Sequence, residues 1–295
     1  MKKIVILSGW TGSEIEIAKK SANFFKKYIK REYDYYELPK QLDSFLENKD
    51  KYSLAIPVFH WEYGEDGRIF AFLNILGIAH TFSSYNTHAL CLDKYKANTL
   101  VNDIWVKIPE QFIVFNKNNF ETVPKELKFP IILKPNRWGS SFFTYKIDSY
   151  KELEEKLHEA KNEVDDDILL QEFISWEEYS VSIVNWKTLA IMKLEKQKID
   201  DFFDYDAKYE SEDKMKEIWP KIEKKLETKL IKYSQKLYQY FEIQWFCRVD
   251  YLVDWEDIYF LEINTIPGMT DASILPKSWL LTWKSFEELV DEIIK

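Results

Sequence analysis

Glycine is the conspicuous shortage, with 7 residues in a chain of 295, where ordinary usage gives about 20. A chain so poor in the one residue that accepts left-handed backbone freely must build its tight turns from something else. Cysteine is scarce as well. Cys91 and Cys247 have no metal-ligand spacing and make no disulfide framework, so a reducing, cytoplasmic setting fits. No apolar run reaches the length of a membrane span, and the apolar start at residues 4–7 is cut by Ser8-Gly9 too early for a signal peptide. Positive charge is not in excess either: 41 Lys and Arg against 50 Asp and Glu leave a net charge of −9. That balance argues against a nucleic-acid surface and leaves room for a local basic pocket. What is present, 46% hydrophobic and 31% charged residues, describes a soluble globular protein long enough for two or three lobes.

The densest chemistry lies in the last third, in Arg248-Val249-Asp250 and Glu262-Ile263-Asn264-Thr265-Ile266-Pro267-Gly268. If the two runs pair as an antiparallel hairpin around residues 254–257, Asp250 and Glu262 fall roughly opposite each other. Asn264, two residues beyond Glu262, points to the same face. Two carboxylates and an amide oxygen suit a hard cation such as Mg²⁺ (or Mn²⁺). The plain alternative is a solvated hairpin face, with Arg248 as a structural partner for Asp250. Gly268 after Pro267 frees the backbone to turn so that its N–H can face a reacting group.

Upstream, residues 4–7 read as a buried strand followed by a helix to about residue 30. The loop between them has too few glycines for a dinucleotide fingerprint. Glu14 reads equally as an acid at a helix start and His60 as a structural histidine closing a strand over residues 52–59. Lys134, at the end of a strand over 131–134 and followed by Gly139-Ser140-Ser141, fits a phosphate cradle or an ordinary turn. Residues 150–161 form an amphipathic helix, the acidic run 162–167 a solvated loop, 168–174 a strand, and 218–240 a long Lys/Glu-rich helix. Residues 202–209 are dense in aromatics and charge with no strand or helix period, as in a mobile loop.

Taken together, the C-terminal signature, Lys134-Pro135-Asn136-Arg137-Trp138-Gly139-Ser140-Ser141, Gly64-Glu65-Asp66-Gly67 and Phe202-Phe203-Asp204-Tyr205-Asp206-Ala207-Lys208-Tyr209 resemble the motifs of D-alanine–D-alanine ligases, members of the ATP-grasp superfamily. The resemblance spans essentially the whole chain. It implies an α/β architecture with the ATP-grasp fold: a Rossmann-like N-terminal substrate domain at 1–95, a central lobe at 96–180 and a C-terminal lobe at 181–295. It also implies ATP-dependent joining of two D-alanines through an acyl phosphate for peptidoglycan precursors, with Mg²⁺, in a homodimer. By the same resemblance, Lys94, Lys134 and Lys208 meet ATP phosphates, Glu172, Phe173 and Ile174 meet adenine, and Glu178 meets ribose. Asp250, Glu262 and Asn264 hold the metal. Glu14, Ser140 and Tyr209 form the catalytic network, and Arg248 and the Gly268 N–H stabilise the oxyanion. His60, Lys208 and Ser273 contact D-alanine, and Tyr209 favours the dipeptide over an ester product.

The departures from the family share a direction. Trp10, Trp61, Trp176, Trp245 and Trp283 stand where these ligases carry glycine, and Trp105, Trp186 and Trp255 are similarly placed. A gene in which UGA encodes glycine, translated as though UGA were tryptophan, accounts for the pattern and returns glycine to near-ordinary usage. Phe82 and Phe143 also replace family glycines, and Trp138, Trp219 and Trp279 are not clear glycine positions. If the tryptophans are genuine, the alternatives are a different carboxylate–amine ligase of the superfamily or a non-catalytic nucleotide-binding relative.

Overall fold

The structure is a computed structural model that describes residues 3–9, 15–116, 123–139, 141–175, 177–196 and 215–295. Three sheets organise these residues. The first is wholly parallel, in the order β2 (Tyr33–Leu38), β1 (Lys3–Gly9), β3 (Tyr52–Val58), β4 (Ala79–His80). The unbroken apolar run Ile4-Val5-Ile6-Leu7 is what a strand buried on both faces requires. Helix α1 (Ile15–Tyr28) buries Ala18, Ala22, Phe24 and Phe25. Helices α2 (Leu42–Asn48) and α3 (Arg68–Ile75) follow β2 and β3 and bury Phe45, Ile69, Phe70 and Leu73.

Two further helices, α4 (Tyr85–Leu92) and α5 (Lys94–Asp103), lead to the second sheet. That sheet is antiparallel, in the order β5 (Gln111–Val114), β8 (Ile168–Glu172), β6 (Ile131–Pro135), β7 (Tyr145–Ile147). Helix α6 (Tyr150–Glu163), capped by Ser149 Oγ accepting from the Glu152 N–H, packs Leu153, Leu157 and Ala160 into its core.

The third sheet runs β12 (Met215–Ile218), β11 (Met192–Lys196), β9 (Glu177–Val184), β13 (Phe246–Asp254), β14 (Asp257–Asn264), with β10 (Lys187–Thr188) paired to β9. Strict alternation sorts its faces. Tyr179, Val181 and Ile183 of β9, with Val249, Tyr251 and Val253 of β13, share one core with Leu230, Leu237 and Tyr238 of α7 (Lys224–Tyr240). The intervening residues, Glu178 and Ser180 with Arg248 and Asp250, lie on the other face. The last helices, α8 (Ile274–Leu280) and α9 (Phe286–Ile293), return to the first sheet, where Leu275, Trp279, Leu289, Val290 and Ile293 join its core. Among the described residues no helix is long and apolar enough to cross a membrane.

Three expectations are corrected. The helix expected over 218–240 starts only at Lys224, because Pro220 and the restriction it places on Trp219 keep the chain extended beyond β12. The strand expected over 168–174 ends at Glu172. The acidic run 162–167 is no wet loop: its first two residues complete α6, and Asp166 is buried, accepting from the Arg137 guanidinium (2.7 Å).

His88 of α4 carries an acid liability. Its ring stacks on Phe70 at 4.0 Å, and its Nδ1 is 2.7 Å from Thr265 Oγ1. Burial, with neighbouring His80, lowers its pKa to about 3. The unfolded chain therefore binds a proton below about pH 6.5 that the folded chain refuses, so stability falls as pH drops. Urea unfolding from pH 7 to pH 5 is expected to show a loss approaching about 1.4 kcal/mol per pH unit. The His88→Phe variant should lose that part of the slope; an unchanged slope would mean that His88 titrates normally.

Candidate active site

The hairpin β13–β14 sets the site. Asp254 pairs with Asp257, so an uninterrupted ladder would place Leu261 opposite Asp250 and turn Glu262 into the core with Ile263's neighbours. A register shift between Asp250 and Tyr251 absorbs one extra residue and brings Glu262 opposite Asp250. This bulge re-aims a carboxylate from the hydrophobic face to the functional one. Asn264 then lies opposite Arg248, and its Oδ1 accepts from the Ile266 N–H at 3.0 Å, fixing the amide.

Asp250 is 3% exposed. Arg248 Nε donates to both of its oxygens (2.9 and 3.0 Å), Arg248 Nη2 donates to Oδ2 (2.8 Å), and Ser180 Oγ donates to Oδ1 (2.5 Å). Burial alone would lower the guanidinium pKa, but the Asp250 charge and hydrogen bonds outweigh it and raise it. The structural partnership open in the sequence is therefore present. These four contacts match the about four lone-pair sites of a carboxylate, so a cation at Asp250 would share or displace one of them.

Two lysines from other elements approach this hairpin. Lys94, the first residue of α5, is buried, donates to the Trp138 carbonyl at 2.7 Å and lies 3.7 Å from Glu262. Lys134 of β6 is buried, and burial together with the like charge of Lys94 lowers its pKa to about 8, against the opposing pull of Glu262 and Glu178. A clasp that sequence reasoning missed holds the pair. The Asn136 amide donates to Asp93 (2.8 Å) and its carbonyl oxygen accepts from the Tyr95 N–H (2.8 Å), while Arg137 bridges Asp93, Asp166 and Asp167. Asp93 was legible as the cap of α5, accepting from the Lys96 N–H. Its links to residues some forty positions away were not.

A cavity of about 210 Å³ is lined by Lys94, Arg248, Glu262, Asn264 and Gly268, with His60, Trp61, Glu65 and Gly139. His60 Nε2 lies 3.1 Å from Ser21 Oγ, which accepts from the Met269 N–H. Ser21, unremarked in the sequence, thereby ties the His60 loop to the Gly268 turn. Ser273 Oγ accepts from the Thr270 N–H (3.2 Å), and a Cβ on Gly268 would come within 2.9 Å of that oxygen. Gly64 is equally constrained, since a Cβ there would meet the Phe59 carbonyl at 2.1 Å.

Glu172 ends β8, where its carboxylate accepts from the Glu110 N–H (3.3 Å); the Phe173 N–H donates to the Pro130 carbonyl (3.2 Å) and Ile174 is buried. Glu178 lies across from Leu252 on the functional face. The candidate residues Glu14, Ser140, Lys208 and Tyr209, like Trp10 and Trp176, lie outside the described residues. Among the described residues no three His, Cys, Asp or Glu side chains gather as a metal cluster. The Asp250–Glu262–Asn264 set is instead two carboxylates and an amide. Its all-oxygen donors, one carboxylate buried, fit a hard divalent cation.

Comparison with known proteins finds relatives that match nearly the whole chain. The family described as D-ala D-ala ligase C-terminus matches residues 99–295. The D-alanine–D-alanine ligase of Clostridium beijerinckii is 32% identical over 99% of this chain and 97% of its own length. That of Fusobacterium nucleatum is 30% identical over 98% and 96%. The crystal structure of D-alanine–D-alanine ligase from Bacillus anthracis superposes with a TM-score of 0.85 at 26% identity, covering 100% of this chain and 96% of that one. The chain belongs to the D-alanine–D-alanine ligase family and has its ATP-grasp fold.

Proposed function

We propose that the chain joins two D-alanines to D-alanyl-D-alanine at the expense of ATP, through an acyl phosphate, and so supplies a peptidoglycan precursor in the cytoplasm. The observation that carries this reading is the convergence of Lys94, Arg248, Glu262, Asn264 and Gly268 on one cavity, with buried Lys134 beside them. Two lysines and a guanidinium offset phosphate charge in a site where low dielectric strengthens each of them. The lobes at 1–95, 96–180 and 181–295 enclose the nucleotide between the last two, with Glu172, Phe173 and Ile174 at adenine and Glu178 at ribose. Asp250, Glu262 and Asn264 would hold Mg²⁺ or Mn²⁺, which when bound would offset phosphate charge.

The first D-alanine sits by His60 and is held with the help of Glu14. Its carboxylate oxygen bonds to the γ-phosphorus as the bond to ADP breaks. The amine of the second D-alanine, its carboxylate held at Ser273, then attacks the acyl carbon, and Arg248 with the Gly268 N–H holds the oxyanion until phosphate departs. Ser140, Lys208 and Tyr209 complete the network and exclude water. A homodimer is the assembly this reading carries. D-alanine labelled with ¹⁸O in its carboxylate tests the intermediate: one labelled oxygen should appear in the released phosphate. ATP turnover with unlabelled phosphate would exclude the acyl phosphate, and no turnover would favour a nucleotide-binding relative, the reading that Trp61 at the cavity supports.

The low pKa of Lys134 gives a second expectation. Phosphate binding favours its charged form, so ATP affinity should hold steady up to about pH 8 and then weaken by up to about tenfold per unit. Calorimetric titration of ATP at pH 7 to 10 reads this directly. Lys134→Arg, which stays charged throughout, should remove the break; a break that survives in it belongs to another group.

A further inference from the structure

Among the described residues, eleven non-glycine residues have left-handed backbone, and six are tryptophan: Trp61 (φ 63°), Trp105 (65°), Trp186 (67°), Trp245 (65°), Trp255 (52°) and Trp283 (63°). A bulky residue there is a genuine outlier, because its Cβ crowds the following carbonyl. The other described tryptophans, Trp138, Trp219 and Trp279, have ordinary backbone. They are also placed as tryptophans usually are. Trp279 is 2% exposed and donates its indole N–H to the Ser285 carbonyl, Trp219 donates to Ser278 Oγ, and Trp138 packs on the second sheet's core. By contrast Trp105, Trp255 and Trp283 are 88%, 95% and 98% exposed. No indole N–H of the six finds an acceptor among the described residues.

The local geometries name the residue that belongs there. Gly77, past the end of α3, has φ 69° and donates its N–H to the carbonyl three residues back (3.1 Å). Trp105, past the end of α5, repeats this bond with the same length and nearly the same φ, the usual helix-terminating glycine position. Asn185-Trp186 joins β9 to β10 as a two-residue loop with φ of 45° and 67°. That is the turn for which Asn-Gly is the preferred sequence. Trp255 is the first loop residue of the β13–β14 hairpin, another glycine site.

We infer that the working polypeptide carries glycine at 61, 105, 186, 245, 255 and 283, its source reading UGA as glycine at these codons, and tryptophan at 138, 219 and 279. Left-handed backbone falling together with tryptophan identity carries this, whatever reaction the site performs. At 61 the consequence reaches the site, because Trp61 lines the cavity and its ring meets Trp138 edge-on at 5.8 Å; glycine there enlarges the cavity that His60 also lines. Peptide sequencing by mass spectrometry of the protein purified from its own source decides the matter. Peptides covering the six positions should each be lighter by the Trp-to-Gly difference, while those covering 138, 219 and 279 keep the tryptophan mass, with UGA and UGG codons to match. Tryptophan mass at the six positions, or UGG codons there, would overturn the inference. So would glycine at 138, 219 and 279 as well, because the split by backbone conformation would then mean nothing.

Discussion

Arg248→Met is expected to destabilise the fold by about 3–5 kcal/mol and to abolish ligation. The cost arises not from losing a favourable pair but from stranding its partner, since removing one member of a buried pair leaves an uncompensated charge. Asp250, at 3% exposure, would keep only the Ser180 hydroxyl. Coupling the change with Asp250→Leu should recover most of the stability, as replacing both members with apolar groups is often near neutral. Activity should not return, because the residues proposed as metal ligand and oxyanion partner are then both gone. Urea unfolding of the two variants separates the roles. A single variant as stable as the parent would mean that Asp250 is solvated or neutral, and a double variant that still ligates would remove both residues from the chemistry.

The second large effect comes from the four exposed tryptophans. Changing Trp105, Trp186, Trp255 and Trp283 together to glycine is expected to stabilise the chain by roughly 2–4 kcal/mol. Each left-handed non-glycine residue costs about 1–2 kcal/mol, and glycine's greater freedom in the unfolded chain returns roughly 0.5–1 of that. Packing opposes the gain little, because three of the four are almost wholly exposed and, among the described residues, only Trp186 has a ring partner, Tyr238 at 4.7 Å. The denaturation midpoint of the quadruple variant reads the sum. A fall would mean that the indoles contribute contacts worth more than the backbone strain, and the glycine assignment would lose its energetic basis.

Much of the architecture is legible in the sequence because the signals are local. Continuous apolar runs mark β1 and β3, and the Ser149 cap with apolar periodicity marks α6. The pairing of Asp250 with Glu262 is legible in part. The spacing brings them near, but only the bulge, a property of the strand's twist against its neighbours, puts both on one face. Asp166 shows the limit: nothing near it distinguishes it from a wet acid, since its partner Arg137 lies 29 residues upstream. Pro220, by contrast, was a visible local stop that outranks the Lys/Glu periodicity read through it.

The most direct test of the ligase reading is product analysis on the chain carrying glycine at the six assigned positions and at 10 and 176, supplied with ATP, Mg²⁺ and D-alanine. The expected result is one D-alanyl-D-alanine and one phosphate for each ATP consumed, with no dipeptide from L-alanine. ATP consumption without dipeptide, or tight ATP binding with neither, would contradict it.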